Sequence, residues 1–260
     1  MTKKPKIIAV LIAYDAEKTL VKFWQELPKQ YFDECVLVDD VSKDNTFAIA
    51  QKLKGLKSYQ NSVNLGYGGN LKRALAIALS HGADIIVDIH PDGEYKPSAI
   101  PLALKKIQKN GFEFIMGNRF TKATGPLKSG MRFWKVLPLL TLSYVDRLIL
   151  GLKITDFHQG FRIYSRNLFR KVSFEENSNN YLFSFELIAQ AVLAGVKIGE
   201  VPVETNYAGI KRGASLKNSI KYSLGTFKIL ALYLLARTGL KNKIFQIPSE
   251  NLNTRITKLL

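Results

Sequence analysis

The run Ile85-Ile-Val-Asp-Ile89 leads directly into His90, Pro91, Asp92, Gly93 and Glu94, so an apolar stretch ends in acids and an imidazole. Its β-branched residues suit a parallel strand covered on both faces, and Pro91 and Gly93 cannot continue it. Ligands of open α/β sheets bind outside the carboxyl ends of the strands. There, one or two carboxylates together with substrate phosphates are the usual holders of Mg²⁺ or Mn²⁺. The competing reading is a polar turn whose acids are solvated.

Two further apolar runs, Ile7–Ile12 and Val36–Val38, end in Ala13-Tyr-Asp15 and Asp39-Asp40, and a helical pattern follows each. Strands alternating with helices predict an α/β fold with a doubly wound, mostly parallel sheet. Asp44 or Ser42 can cap a helix carrying Phe47, Ile49, Ala50 and Leu53, which Gly55 stops. Asn64-Leu-Gly-Tyr-Gly-Gly-Asn70 opens an alanine-rich helix over Leu71–Leu79, and Phe112–Met116 reads as a fourth strand.

The stretches 121–150 and 220–236 are strongly apolar and helical. Lys135, Pro138, Asp146 and Arg147 interrupt the first, and Lys228 and Arg237 bound the second, so neither reads as a membrane span. They suit helices lying in a membrane interface, with Trp134, Tyr222 and Tyr233 as interfacial aromatics. Amphipathic helices packed on the core would give the same pattern.

The chain has 260 residues and a formal net charge of +17, which points to a polyanionic partner: nucleic acid, an anionic membrane surface or a phosphorylated substrate. The basic residues are spread out and form no nucleic-acid module, so nucleic acid is set aside. Cys35, the single cysteine, lies in the apolar run Cys35–Val38 and reads as a buried thiol. The N-terminus lacks the shape of a signal peptide, so a cytoplasmic location is expected.

Three more segments carry chemistry. Asp39-Asp40 ends a strand where a carboxylate can accept from a ribose hydroxyl or a base imide. Asp156-Phe-His-Gln-Gly-Phe-Arg-Ile-Tyr-Ser-Arg166 packs acid, imidazole, amide and guanidinium groups together: Asp156 or His158 can act as general base, and Arg162 can orient an anion or pair with Asp156. Lys211-Arg-Gly-Ala-Ser-Leu-Lys217 offers cations and a hydroxyl to a diphosphate, or is a solvated basic loop. The glycines of 66–69 have neither Walker nor dinucleotide spacing.

Taken in order, Val10–Glu17, Leu37–Thr46, Asn64–Asn70, Gly117-Asn-Arg119, Asp156–Arg166, Glu200-Val-Pro-Val203 and Arg212–Lys217 resemble the inverting glycosyltransferases of family 2, of the polyprenyl-phosphate (dolichyl-phosphate) sugar transferase type. The resemblance implies the nucleotide-sugar-binding GT-A fold over 1–218, with 121–150 as an acceptor-side helical insertion and 219–260 as a C-terminal amphipathic helix and tail. It implies transfer from a nucleoside diphosphate sugar to a lipid phosphate, with transfer to a hydroxyl, or a non-catalytic nucleotide-sugar-binding module, as alternatives. Ala13, Tyr14, Glu17, Asp40, Asn64, Gly68, Arg212, Ser215 and Lys217 correspond to donor-binding positions, and Asp156, Arg119 and His158 to catalytic ones. The family's Asp-X-Asp metal signature followed by Gln stands here as His90-Pro91-Asp92 and Glu94, so Asp92, His90 and Glu94 are the expected ligands of Mg²⁺ or Mn²⁺. The membrane anchor of many relatives is missing from the pattern. Amphipathic helices, a homo-oligomer or a membrane partner protein would then bring the enzyme to the cytoplasmic membrane face.

Overall fold

The computed structural model describes residues 4–121, 125–131, 133–207, 216–240 and 242–260. Strands and helices alternate through the first half: β1 (Ile7–Ala13), α1 (Glu17–Glu26), β2 (Glu34–Asp39), α2 (Thr46–Lys52), β3 (Leu56–Gln60), α3 (Gly66–Ser80), β4 (Ile85–Asp88), α4 (Ile100–Asn110) and β5 (Phe114–Asn118). The second half is mostly helical: α5 (Gly125–Lys128), α6 (Phe133–Leu150), β6 (Arg162–Ser165), α7 (Arg166–Lys171), α8 (Phe183–Leu193), β7 (Ile198–Pro202), α9 (Leu216–Arg237) and α10 (Leu252–Thr257).

The strands form one seven-stranded sheet in the order β3-β2-β1-β4-β6-β5-β7. Every pairing is parallel except those of β6, which runs antiparallel to both β4 and β5. The reversal matters for the site. It brings the start of β6, and the loop before it, to the edge where β4 and β5 end.

Alternation along β1 shows why both faces are covered. Ile8, Val10 and Ile12 enter one apolar cluster with α3, α8 and α9, whereas Ile7, Ala9, Leu11 and Ala13 enter the other with α1 and α4. Burial on both sides explains the unbroken apolar runs of β1, β2 and β4. Ile229, Leu230, Tyr233, Leu252 and Ile256 belong to the first cluster, so the chain beyond residue 219 packs into the core rather than trailing from it. Cys35 is buried, and burial pushes its thiol up to about 11.

Outward-facing apolar residues mark two helices. Leu137, Leu140, Tyr144 and Leu148 of α6 are exposed, as are Ile220, Leu224, Phe227, Leu234 and Leu235 of α9. Their spacing puts each set in a stripe along its helix. Among the described residues no helix is long and apolar enough to cross a membrane.

Candidate active site

The loops after β1 and β2 are laced together. Asp15 Oδ1 accepts from Lys43 N at 2.7 Å, the Asp15 amide donates to Ser42 Oγ at 2.9 Å, and Glu17 Oε2 accepts from Asn45 N at 2.8 Å. Of the two expected caps of α2, Asp44 and Ser42, neither is the N-cap, which is Asn45; Asp44 stands one residue before it, and its Oδ1 accepts from Thr46 N at 2.9 Å. Ala13 is buried at the end of β1, with its carbonyl accepting from Asp40 N at 2.9 Å, and Tyr14 is exposed beside it. Val41 sits at φ 62, a left-handed conformation that a β-branched residue adopts only under constraint.

Asp40 is buried and fully engaged. Its carboxylate accepts from Asn61 Nδ2 at 2.6 Å, Leu65 N at 2.8 Å and Gly66 N at 2.9 Å, which caps the N-terminus of α3. Asn64 Nδ2 donates to the Asp40 carbonyl at 2.9 Å. The glycine segment serves packing: the Gly68 amide donates to Asn179 O at 2.8 Å, and a Cβ on Gly68 would stand 2.2 Å from Ser178 O. Asp39, one residue earlier, accepts from Gln60 Nε2 at 3.0 Å and from Ser42.

At the end of β4, Asp92 Oδ1 accepts from the Glu94 amide at 2.8 Å, which tightens the turn that presents both acids. His90 is turned inward. Its Nε2 lies 3.6 Å from Asp88 Oδ1, and its Nδ1 and Cε1 pack so close to Gly160 that a Cβ there would stand 3.1 Å from Cε1. Burial opposes charge on the imidazole, but the neighbouring Asp88 outweighs it and raises the pKa. Among the described residues no three His, Cys, Asp or Glu side chains gather to enclose a metal. Asp92 and Glu94 stand in the same turn, two residues apart, as the pair of carboxylates that this strand end offers.

A second cluster is organised by Arg119, the residue that follows β5. Its Nε and Nη2 donate to Asp156 Oδ2 and Oδ1 at 2.7 and 2.9 Å, and its amide adds a bond to Oδ2 at 3.1 Å. Nη2 also donates to the His158 carbonyl at 2.7 Å and Nη1 to Tyr207 Oη at 3.0 Å. Burial disfavours the guanidinium charge, but Asp156 more than compensates and holds it protonated. Burial pushes the Tyr207 phenol up to about 12. Arg119 Nη1 also stands 4.0 Å from Glu94 Oε1, so one cation links Glu94 to Asp156.

His158 is buried between helices, with Nε2 2.8 Å from Asp146 Oδ2 of α6 and Nδ1 3.0 Å from Tyr222 Oη of α9. Arg162, suggested by sequence as a partner of Asp156, instead donates to Ser184 Oγ at 2.9 Å on the opposite face of the sheet. Arg212 and Ser215 lie outside the described residues, as does the side chain of Lys217.

Sequence reasoning passed over Glu200 as a support, and also over Tyr207 and Asp146. Glu200 accepts from Asn118 Nδ2 at 2.8 Å and from Thr155 N at 2.7 Å, anchoring the loop that carries Asp156 to the end of β5. The signal was its position in the Glu200–Val203 segment, which meets Thr155 in space but lies 45 residues from it in sequence.

The profile of glycosyl transferase family 2 matches residues 8–173. An uncharacterised protein of Methanocaldococcus jannaschii is 29% identical over 220 residues, covering 84% of this chain and 89% of that protein. The UDP-N-acetylglucosamine–dolichyl-phosphate N-acetylglucosaminyltransferase of Methanococcus voltae is 28% identical over 251 residues, covering 90% of this chain and 97% of that protein. Glucosyl-3-phosphoglycerate synthase of Mycobacterium tuberculosis, solved with Mn²⁺, UDP and glucosyl-3-phosphoglycerate, superimposes with a TM-score of 0.64 at 18% identity, over 92% of this chain and 81% of that one. The fold is thus GT-A, and with the family profile spanning the sheet from β1 through β6, the chain belongs to glycosyl transferase family 2.

Proposed function

We propose that this glycosyltransferase moves a sugar from a nucleoside diphosphate sugar to a polyprenyl phosphate at the cytoplasmic face of a membrane. The observation that carries the acceptor assignment is the state of Asp156: both its oxygens are occupied by Arg119, so it is poorly placed to strip a proton from a hydroxyl. A phosphate acceptor needs no such base, because its oxygen arrives ionised. The M. voltae relative, whose name gives dolichyl phosphate as acceptor, supports the same reading.

In this mechanism the laced loops of β1 and β2, with Ala13, Tyr14 and Glu17, form the ledge for the nucleoside, and the buried Asp39 and Asp40 brace it through their hydrogen bonds. Asp92 and Glu94 would hold Mg²⁺ or Mn²⁺, which would supply Lewis-acid neutralisation of the diphosphate. Arg119 and Asp156 orient the acceptor phosphate, one of whose oxygens bonds to the sugar anomeric carbon as the bond from that carbon to the diphosphate breaks. The electron pair leaves on the nucleoside diphosphate, toward which Arg212 and Lys217 bring cationic charge. The apolar stripes of α6 and α9 suit the polyprenyl chain and the surrounding lipid, with the chain's +17 charge drawing it to anionic headgroups.

The deciding experiment incubates the full chain with UDP- and GDP-sugars and either a short polyprenyl phosphate or the corresponding polyprenol, with Mg²⁺, Mn²⁺ or EDTA. Metal-dependent product from the phosphate and none from the alcohol is expected. Transfer to the alcohol, or metal-independent transfer, overturns the reading.

A further inference from the structure

His158 touches both stripe-bearing helices and, through its carbonyl, the acceptor-side pair. Its ring contacts Asp146 of α6 and Tyr222 of α9 and stacks on Phe185 of α8 with centroids 5.7 Å apart and planes at 28°. Its carbonyl accepts from Arg119 Nη2 at 2.7 Å, while Asp156, two positions earlier on the same loop, takes the rest of that guanidinium. The side chain is only 4% exposed and both ring nitrogens face protein groups, which leaves it no route to act on substrate. Asp146 is fully buried, so its carboxyl is pushed up by burial and pulled back by His158. The Asp146 approach is close without hydrogen-bond geometry, so the hydrogen bond to Tyr222 is the directional tie, and breaking it would leave buried polar atoms without that partner.

We propose that His158 is a positioning residue for the acceptor half of the reaction: it transmits the seating of α6 and α9 to Arg119 and Asp156. The proposal rests on the acceptor reading above. The helices also bury Leu142, Ile229, Leu230 and Tyr233, so their seating does not rest on the imidazole alone. Loss of the pin should instead loosen the 153–161 loop and misplace the guanidinium. A small misplacement of a positioning group costs on the order of a hundredfold in rate even when it lies away from the chemistry.

The test uses His158→Phe, which preserves an aromatic ring on Phe185 and removes both polar contacts, together with Tyr222→Phe, which removes one. Three readouts are taken on the full chain: affinity for UDP with Mn²⁺, acceptor kcat/KM with a short polyprenyl phosphate, and amide hydrogen exchange. His158→Phe should leave UDP affinity within about twofold, lower acceptor kcat/KM roughly ten- to a hundredfold, and accelerate exchange in peptides covering Arg119 and 153–161 but not in 34–39 or 85–88. Tyr222→Phe should show a smaller change of the same pattern, and the double variant should be no worse than His158→Phe. Unchanged exchange at Arg119 and 153–161, or UDP affinity falling in step with transfer, overturns the proposal. If the wild-type chain transfers to no lipid phosphate, the acceptor reading fails on its own, and the exchange pattern still decides the role of His158. Should His158→Phe not fold, Tyr222→Phe carries the same readouts.

Discussion

Arg119 grips Asp156 through two guanidinium nitrogens and its own backbone amide, at 2.7, 2.9 and 3.1 Å, in a setting where both side chains are almost entirely shielded from water. Removing either partner strands a buried charge, at a cost of roughly 3–5 kcal/mol, whereas replacing both with apolar groups is far milder. Asp156→Asn and Arg119→Met should each lower the urea midpoint strongly, and Arg119→Met with Asp156→Leu should recover much of the loss. Additive losses in the double variant would show that the pair is not the unit described.

Metal dependence separates the acids from the imidazole. Asp92 is presented by the turn after β4, whereas the His90 ring nitrogens face Asp88 and Gly160. Second-shell losses already weaken metal sites about ten- to a hundredfold. By calorimetry, Asp92→Asn should therefore reduce Mn²⁺-dependent UDP affinity by at least roughly tenfold, and His90→Asn should reduce it far less. Equal losses would return His90 to the ligand set.

Gly68 lies inside α3, where alanine ordinarily stabilises by close to 1 kcal/mol. Here the sign reverses, because the added Cβ would meet Ser178 O at 2.2 Å and Asn180 O at 2.8 Å. Gly68→Ala should destabilise by about 1–3 kcal/mol or more in denaturant titration. A neutral or stabilising result would mean that the 178–180 loop yields freely.

Glu34 provides a pH-dependent increment of stability. Burial pushes its carboxyl up, but hydrogen bonds and charge from His81 and Lys57 outweigh that and hold it below the usual range. A depressed folded-state pKa stabilises above the unfolded value of about 4.3, and the gain is lost as pH falls through the folded value. The thermal midpoint of Glu34→Gln should lie below wild type at pH 7, and the gap should close in acid. Lys57 is more than half exposed, so added salt should also narrow it.

Membrane association should have two components. Attraction of the basic chain to anionic liposomes should weaken as salt rises, while the apolar stripes should retain a salt-resistant fraction. Leu137→Asp with Leu148→Asp, both at exposed positions, should abolish the resistant fraction in co-sedimentation without changing thermal stability. Retention of that fraction would remove α6 from the interface.

The legible parts of the chain were those whose physics is local. β1, β2 and β4 are buried on both faces, so their apolar runs stand out, whereas the N-cap of α2 falls on Asn45, one residue past the expected Asp44. β3 was not read as a strand because it is an edge: Lys57 and Gln60 point to solvent and break the run. β6 and β7 were read only as parts of motifs, since β6 starts on Arg162 and is as short as four residues. The Asp156 partner was misjudged for a related reason. Alternation along β6 sends Phe161 and Ile163 to one layer and Tyr164 to the other, so Arg162 leaves for Ser184 while Arg119 arrives from a different strand. No local pattern encodes that meeting.

The reversed strand β6 also fixes an order of assembly. Until residue 165 has emerged from the ribosome, β4 has a partner only on its β1 side, and β5 has neither of its neighbours, β6 and β7. A nascent chain ending near residue 121 would carry an unpaired, wholly apolar inner edge at Ile85–Val87, the kind of edge that recruits other chains. The β3-β2-β1 half, built from neighbouring parallel strands, can form early; the cluster of Arg119 and Asp156 must wait for the long-range pairing of β6 with β4 and β5.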